Sequence, residues 1–168
     1  MTRRPSQERF LTLLDEHKKI LYKVASSYCR DPEDRRDLEQ EIVAQLWRSF
    51  DRYDESYRFS TWMYRIALNV AISSYRSATR RSRSTVPAGE AVLEIADTRE
   101  AAEPDAELLL LHRLIAQLDE LDRALILLYL DGNRHDTIAE ILGISETNVG
   151  TKIGRIKARL RRDAARTL

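Results

Sequence analysis

Residues His135–Arg162, HDTIAEILGISETNVGTKIGRIKARLRR, predict two helices around a tight turn. Gly143 provides the permissive backbone that a sharp turn after a helix end requires. Ser145 is a favourable N-cap for the helix that follows. The first helix carries apolar residues at helical spacing, at Ile138, Ala139, Ile141 and Leu142.

The second predicted helix has one apolar face and one basic face. Its apolar side chains recur every three or four residues, at Val149, Ile153, Ile156 and Leu160. Between Asn148 and Leu168 there are seven Lys or Arg residues and one acid, Asp163. This pattern is typical of a helix-turn-helix whose second helix enters the major groove of DNA. The alternative is an αα-hairpin that only packs, with a solvated basic face.

Charge is distributed unevenly along the 168 residues, although the net charge is only +1. Positive charge gathers in Arg76–Arg83 and after Asn148, whereas acids gather in Glu90–Glu107. Local blocks of one sign indicate partners more directly than the total does. The length predicts one or two small domains.

Several classes of protein and site are not expected. Cys29 is the one cysteine, so no intramolecular disulfide can form, and a lone cysteine at a helix end is usually packed. The three histidines lack metal-ligand spacing, and we expect neither a metal nor a cofactor. The sequence contains no Gly-rich phosphate-binding loop and no nucleophile–base pair, so we do not expect an enzyme. The N-terminus lacks a signal-peptide core, and the longest apolar run, Leu108–Leu111, is far too short to span a membrane. A cytoplasmic location is therefore expected.

The rest of the chain predicts helices and no strands, hence an all-α fold. Helices are expected over about 6–29, 33–50 and 61–77, then from Asp105 and over about 120–130. Asp31–Pro32 and Ser60 are predicted helix starts. Residues expected to face the core include Phe10, His17, Leu21, Val24, Leu38, Ile42, Leu46, Trp62, Ile66, Val70, Leu108, Leu114 and Leu118. We predict two small helical domains, 1–80 and 105–168, joined by a flexible linker at 81–104, whose small residues, prolines and mixed charge favour an extended chain.

Three stretches together resemble one family. They are DLEQEIVAQLW (Asp37–Trp47), FSTWMYRIALNVAI (Phe59–Ile72) and IAEILGIS (Ile138–Ser145) with the helix after it. In this order they resemble the extracytoplasmic-function (ECF) group of the bacterial sigma-70 family of RNA polymerase sigma factors. The resemblance covers nearly the whole chain, and it implies that the protein directs core RNA polymerase to promoters.

The resemblance also implies roles for particular residues. Contacts with the β′ and β subunits of core polymerase are expected from Asp37, Leu38, Gln40, Glu41 and Trp47. Capture of −10 DNA is expected from Tyr53, Tyr57, Arg58, Phe59, Arg65, Asn69, Ser73 and Arg76. For Tyr57 and Phe59, base contact and core packing both remain open. Ser73 stands where relatives often carry an acid, so their −10 preference does not transfer directly.

On the predicted recognition helix, early residues reach base edges and later ones phosphates. Base-edge contacts at −35 are expected from Thr147, Asn148, Thr151, Lys152 and Arg155. Phosphate contacts are expected from Lys157 and Arg159, with Arg161 and Arg162; the alternative for these four side chains is that they are simply solvated. Gly150 and Gly154 are unusual inside a helix; close approach to DNA and simple tolerance are both open.

Two other functions compete with this reading. A helix-turn-helix regulator that binds DNA alone, with an N-terminal sensor or dimerisation domain, is the main alternative, but such a protein has no reason to carry the first two stretches. A helical adaptor without DNA function is disfavoured by the basic helix. Because ECF sigma factors are usually held inactive by an anti-sigma factor, we expect a separate partner of that kind.

Overall fold

The computed structural model describes residues 5–82 and 105–167. Within these ranges every regular element is helical, which confirms the predicted all-α fold. The chain divides into two units, Met1–Thr79 and Arg80–Leu168. The predicted linker lies outside the described residues except for residues 81 and 82, which are helical.

The described part of the first unit contains three α-helices, one short 3₁₀ turn and all but the last three residues of a fourth α-helix. They are α1 (Pro5–Glu16), α2 (Lys18–Tyr28), α3 (Pro32–Ser49), the 3₁₀ turn (Phe50–Arg52) and α4 (Phe59–Ser82). As predicted, α3 begins after Asp31, whose carboxylate accepts a hydrogen bond from the Glu33 amide at 2.9 Å. Leu38, Ile42 and Leu46 lie in the core, each no more than 2% exposed.

The prediction of a single helix over residues 6–29 was wrong. The chain leaves helical geometry at His17 (φ −116°, ψ 16°), which separates α1 from α2. A ring nitrogen of His17 lies 2.9 Å from the Leu13 carbonyl oxygen, and the ring lies 5.0 Å from that of Phe59. A tertiary contact therefore accompanies the break. Ile20 is buried after it, whereas Leu21 is only half-buried.

The buried face of α4 also differs from the prediction. The helix begins at Phe59, so Ser60 lies in its first turn and is not the N-cap. Trp62, Ile66 and Val70, expected inside, are only half-buried. The residues that face the core are Phe59, Met63, Tyr64, Ala67, Leu68 and Ala71. The prediction relied on the large apolar side chains of α4. The core face also includes two fully buried alanines, Ala67 and Ala71, whose small side chains let neighbouring helices approach.

Over residues 105–167, the second unit contains α5 (Ala106–Ala116), α6 (Glu120–Leu130), α7 (His135–Leu142) and α8 (Glu146–Thr167). The predicted starts at Asp105 and near residue 120 are confirmed: Asp105 accepts from the Glu107 amide at 3.0 Å, and Asp119 accepts from the Asp122 amide at 2.8 Å. Leu114 and Leu118 are buried. Leu108 was expected in the core but is 51% exposed.

Candidate polymerase and nucleic-acid interfaces

One face of α3 carries the polar residues predicted to contact polymerase. Asp37, Gln40 and Glu41 are all exposed, because the opposite face carries the buried Leu38 and its neighbours. Leu38 is only 2% exposed, so it packs in the core and holds the helix against it. The face combines two carboxylates with an amide, a set that complements a basic surface.

Trp47 adds an aromatic surface near the end of α3. It is 43% exposed, although its ring lies 5.2 Å from the ring of Phe10 and 6.4 Å from that of Phe50. An exposed tryptophan whose orientation is held by packing is the kind of side chain that anchors protein interfaces.

An aromatic cluster continues from Phe50 into the segment before α4. The ring of Tyr53 lies 5.0 Å from Trp62, 5.6 Å from Phe59 and 6.1 Å from Phe50. Phe59 is 5% exposed. Its burial favours core packing over the base contact that the sequence left open.

The segment between the 3₁₀ turn and α4, residues 53–58, is called the 53–58 loop below. Asp54 organises it: the Ser56 amide donates to the Asp54 carboxylate at 2.9 Å, and the Tyr57 amide donates to the Asp54 carbonyl at 3.1 Å. The hydrogen bonds from Ser56 lower the pKa of the Asp54 carboxyl. Tyr57 is 52% exposed in this ordered loop, and Arg58 beside it is also exposed. An exposed aromatic ring next to a cation matches what single-stranded nucleic acid binds.

An exposed stripe runs along α4 beyond the loop. Arg65, Asn69, Ser73 and Arg76 are all exposed and follow one another at intervals of four, four and three residues. Residues at these intervals share a helix face. The stripe therefore combines two cations with an amide and a hydroxyl on one exposed helix face.

The turn between α7 and α8 has the geometry that its sequence predicts. Gly143 has φ +68°, and its amide donates to the Ala139 carbonyl at 2.9 Å. The Ser145 hydroxyl accepts from the Asn148 amide at 3.1 Å and so caps α8. These contacts fix the start of the second helix relative to the first.

The predicted apolar face of α8 is confirmed. Val149, Ile153, Ile156 and Leu160 are at most 9% exposed. The opposite surface presents Thr147, Asn148, Thr151 and Arg155 as exposed side chains, with Lys152 and Arg159 half-buried at its edge. This basic face has the composition of a helix that reads DNA in the major groove.

Acids lie beside the cations of this face. The Asp163 carboxylate is 3.6 Å from the Arg159 Nε and 3.8 Å from the Arg162 Nε. Burial and the nearby Asp119 raise the pKa of Asp122, while Lys152 and Arg159 act in the opposite direction. The basic face is thus partly neutralised within the domain.

Lys157 lies on a different side of α8. Its ammonium nitrogen is 4.4 Å from the centroid of the Tyr129 ring. Because successive residues are about 100° apart around a helix, Lys157 is about 200° from Arg159. The Lys157 contact is thus a cation–π interaction within the domain.

Two residues that the sequence analysis did not single out take part in these surfaces or support them. Arg9 of α1 forms an ion pair with Glu55 of the 53–58 loop. Arg123 is 4% exposed and donates to the carbonyls of Ala116 and Leu118 at 2.8 and 2.9 Å. Neither belongs to a motif: Arg9 meets Glu55 only through the tertiary structure, and Arg123 bonds carbonyls where α5 ends.

Across residues 5–82 and 105–167, no group of three or more His, Cys, Asp or Glu side chains is placed to hold a metal ion. None of the helices in those ranges has the length and apolar character needed to cross a membrane.

Comparison with known proteins links both units to one family. Residues 13–81 match Sigma-70 region 2, and residues 108–160 match Sigma-70, region 4. RNA polymerase sigma factor CnrH of Cupriavidus metallidurans is 30% identical over 166 residues, which cover 92% of this chain and 86% of CnrH. ECF RNA polymerase sigma factor SigM of Mycobacterium tuberculosis is 26% identical over 153 residues, covering 91% of this chain and 76% of SigM.

Solved structures agree with the sequence matches. The structure of CnrH in complex with the cytosolic domain of CnrY has a TM-score of 0.68 at 25% identity, covering 95% of this chain and 89% of CnrH. Sigma factor RpoE from Bartonella quintana, in a co-crystal structure with the anti-sigma factor NepR, has the same fold, with a TM-score of 0.68 at 19% identity over 92% of this chain and 93% of RpoE. Because both sigma regions are present in order and the relatives align along most of its length, the chain belongs to the ECF group of the sigma-70 family and is an RNA polymerase sigma factor.

Proposed function

We propose that this sigma factor uses its two units for separate steps of initiation. Residues 1–80 bind core RNA polymerase and open the −10 DNA, residues 105–168 dock at −35, and residues 81–104 link them. The observation that carries this division is that the first unit pairs an acidic α3 face with an aromatic loop, while the second exposes a basic recognition helix.

Polymerase binding is assigned to the exposed face of α3. Asp37, Gln40 and Glu41 supply polar contacts to the β′ subunit, and Trp47 supplies an apolar anchor. Charged contacts of this kind raise association rates and select the partner, whereas a buried aromatic side chain carries much of the affinity. Leu38 contributes indirectly, by holding the helix against the core.

Opening of the −10 DNA is assigned to the 53–58 loop and the stripe on α4. An unstacked base lies against Tyr57, with Arg58 nearby to attract the backbone. The strand then follows the stripe, from Arg65 through Asn69 and Ser73 to Arg76. Ser73 both donates and accepts hydrogen bonds, so it discriminates bases differently from an acid at that position.

Recognition at −35 is assigned to the basic face of α8. The residues nearest its N-terminus, Thr147, Asn148 and Thr151, reach base edges together with Lys152 and Arg155. Arg159 contacts phosphate. Lys157, by contrast, stabilises the domain through Tyr129.

A separate anti-sigma factor is the proposed regulator. CnrH forms a complex with the cytosolic domain of CnrY, and RpoE of Bartonella quintana forms one with the anti-sigma factor NepR. A protein of that class would cover the same faces that bind polymerase. The sigma factor acts in the cytoplasm, by binding and without catalysing a reaction.

Run-off transcription with purified core polymerase and a library of upstream DNA tests the proposal. We expect discrete transcripts that require the protein and weaken in Asp37→Ala/Glu41→Ala. The matched control is Asp15→Ala/Glu16→Ala, which removes two exposed acids from α1. Tight duplex binding without core binding or transcripts would instead support a stand-alone regulator. An equal loss of transcripts in both double variants would contradict the assignment of polymerase binding to α3.

A further inference from the structure

The 53–58 loop is held from inside by Tyr53. The Tyr53 hydroxyl donates to the Tyr57 carbonyl at 2.7 Å and so bridges the two ends of the loop. The Tyr53 ring is in contact with Trp62, Phe59 and Phe50, with centroids 5.0 to 6.1 Å apart. Its hydroxyl and its ring are thus engaged within the protein.

The same loop is held from outside by α1. Arg9 forms an ion pair with Glu55 near the middle of the loop. The next residue, Phe10, is 3% exposed, and its ring lies 5.2 Å from that of Phe50. Because Phe10 anchors this turn of α1 in the core, Arg9 projects from a fixed point.

These two attachments leave Tyr57 as the exposed aromatic side chain of an otherwise fixed loop. It is 52% exposed, although its amide and its carbonyl are both hydrogen-bonded to loop residues. A surface loop that is ordered before binding loses less conformational entropy when a ligand is captured. An anchored backbone therefore favours capture of an unstacked base.

We propose that Tyr53 and Arg9 are positioning residues for promoter opening: they hold the loop so that Tyr57 meets the unstacked −10 base. This inference rests on the proposed role of the loop in opening −10 DNA. It changes the role of Tyr53 from a direct DNA contact to an internal support, and it gives α1 a part in melting.

The first test measures the loop in the free full-length protein by amide hydrogen exchange at Ser56 and Tyr57. Tyr53→Phe keeps the ring but removes the donated hydrogen bond, and we expect about five-fold faster exchange. Arg9→Gln should make exchange about two-fold faster, because an exposed ion pair contributes little stability. The control Lys18→Gln, which removes an exposed pair with Asp15, should leave exchange unchanged. Wild-type exchange in Tyr53→Phe would overturn the proposal.

The second test compares open-complex formation on a duplex promoter, found in the run-off screen, with formation on the same promoter carrying a pre-opened −10 bubble. Tyr53→Phe and Arg9→Gln should lower the yield on the duplex several-fold, and the bubble should restore most of it, while core binding stays at the wild-type level. A general folding defect would lower core binding and both templates equally.

The outcomes separate two failures. If the wild-type protein opens neither template, the proposed function fails, and the inference that rests on it fails too. If the wild type opens the duplex promoter and Tyr53→Phe opens it equally well, only the positioning role is overturned.

Discussion

Arg159 and Asp163 lie one turn apart on α8, with 3.6 Å between the Arg159 Nε and an Asp163 carboxylate oxygen. The other carboxylate oxygen is 3.8 Å from the Arg162 Nε. One acid therefore contacts two of the cations on the proposed DNA-binding helix. If this helix binds DNA as proposed, phosphate groups have to compete with the Asp163 carboxylate for the same guanidinium groups.

Asp163→Asn should accordingly raise affinity for duplex DNA of any sequence several-fold. Each additional cation available to phosphates steepens the dependence of affinity on salt by about 0.9 in a log–log plot. Fluorescence anisotropy with a random-sequence duplex, across a salt series, measures both quantities. Glu107→Gln, which removes an acid from α5, is the control. An equal gain in both variants would show an effect of net charge alone.

Lys157 and Arg159 should respond differently to truncation, although the sequence placed both among the phosphate contacts. Arg159→Ala should weaken duplex binding and flatten the salt dependence by about 0.9. Lys157→Ala should leave the salt dependence unchanged and lower stability by about 0.5–1 kcal/mol, because its ammonium lies over the Tyr129 ring. The same anisotropy series and a urea titration measure these effects. A flattened salt dependence of duplex binding in Lys157→Ala would contradict this prediction and show that Lys157 contacts DNA.

Arg123 should be a determinant of stability in the second unit. It is 4% exposed, and its guanidinium serves the Ala116 and Leu118 carbonyls at the end of α5. Arg123→Met keeps much of the apolar stem but leaves these carbonyls without that donor, and we expect a loss of about 2–4 kcal/mol. Circular dichroism during urea unfolding measures it. Arg113→Met, at an exposed position of α5, should change stability by less than about 0.5 kcal/mol.

Tryptophan fluorescence adds an internal check on that measurement. The two tryptophans, Trp47 and Trp62, both lie in the first unit. Their unfolding transition should be unchanged in Arg123→Met. A shifted tryptophan transition would contradict an effect confined to the second unit.

The sequence was most informative where structure is determined by neighbouring residues. The apolar face of α8, the left-handed glycine at Gly143 and the Ser145 cap were all predicted, because helix periodicity and turn chemistry are local. The same holds for the Asp31 cap of α3. The candidate surface on α8 followed from its apolar and basic faces, whereas the candidate surface on α3 was implied by the family resemblance.

Features that depend on tertiary packing could not be predicted from the sequence. His17 interrupts the first predicted helix where its ring meets Phe59. The core face of α4 uses Ala67 and Ala71, whose small side chains carry little weight in a hydrophobic pattern. Arg123 was not singled out either: it bonds carbonyls only five and seven residues earlier, but a charged side chain gives no local sign of burial. The errors at His17 and in α4 reflect tertiary packing that overrides local preference.

Gly150 and Gly154 should limit the stability of α8. A Cβ at Gly154 would meet no atom within 4 Å, and one at Gly150 would meet only the His135 ring, at 3.7 Å. Packing within the domain therefore requires neither glycine. Gly154→Ala should raise stability by about 1 kcal/mol, the helix-propensity difference, and Gly150→Ala by about the same or slightly less. Urea unfolding followed by circular dichroism measures this.

Duplex binding by the same two variants then distinguishes the explanations that the sequence left open. Since both positions fit an alanine, we expect duplex binding to remain at the wild-type level. A stabilised variant that loses DNA affinity would show that the helix backbone itself approaches DNA at that glycine.

Cys29 should be a poorly reactive thiol at neutral pH. Burial is the main cause that raises its pKa to about 11, and the carboxylates of Asp34 and Asp31 add to it, against Arg35. The thiolate is the nucleophile, so alkylation by iodoacetamide should rise with a midpoint near pH 11 in the folded protein. In guanidinium chloride the midpoint should fall to about 9, the value of an unperturbed thiol.

The sign of the linked stability effect follows from the same shift. Because the folded state holds this proton more tightly than the unfolded state, the contribution of Cys29 to stability is complete below about pH 9 and is lost as pH rises towards 11. Asp34→Asn should lower the pKa and speed alkylation at a fixed pH of about 9. Mass spectrometry of the alkylated protein gives the rates. A native midpoint near 9, or an unchanged rate in Asp34→Asn, would contradict the burial and charge that the structure assigns to this thiol.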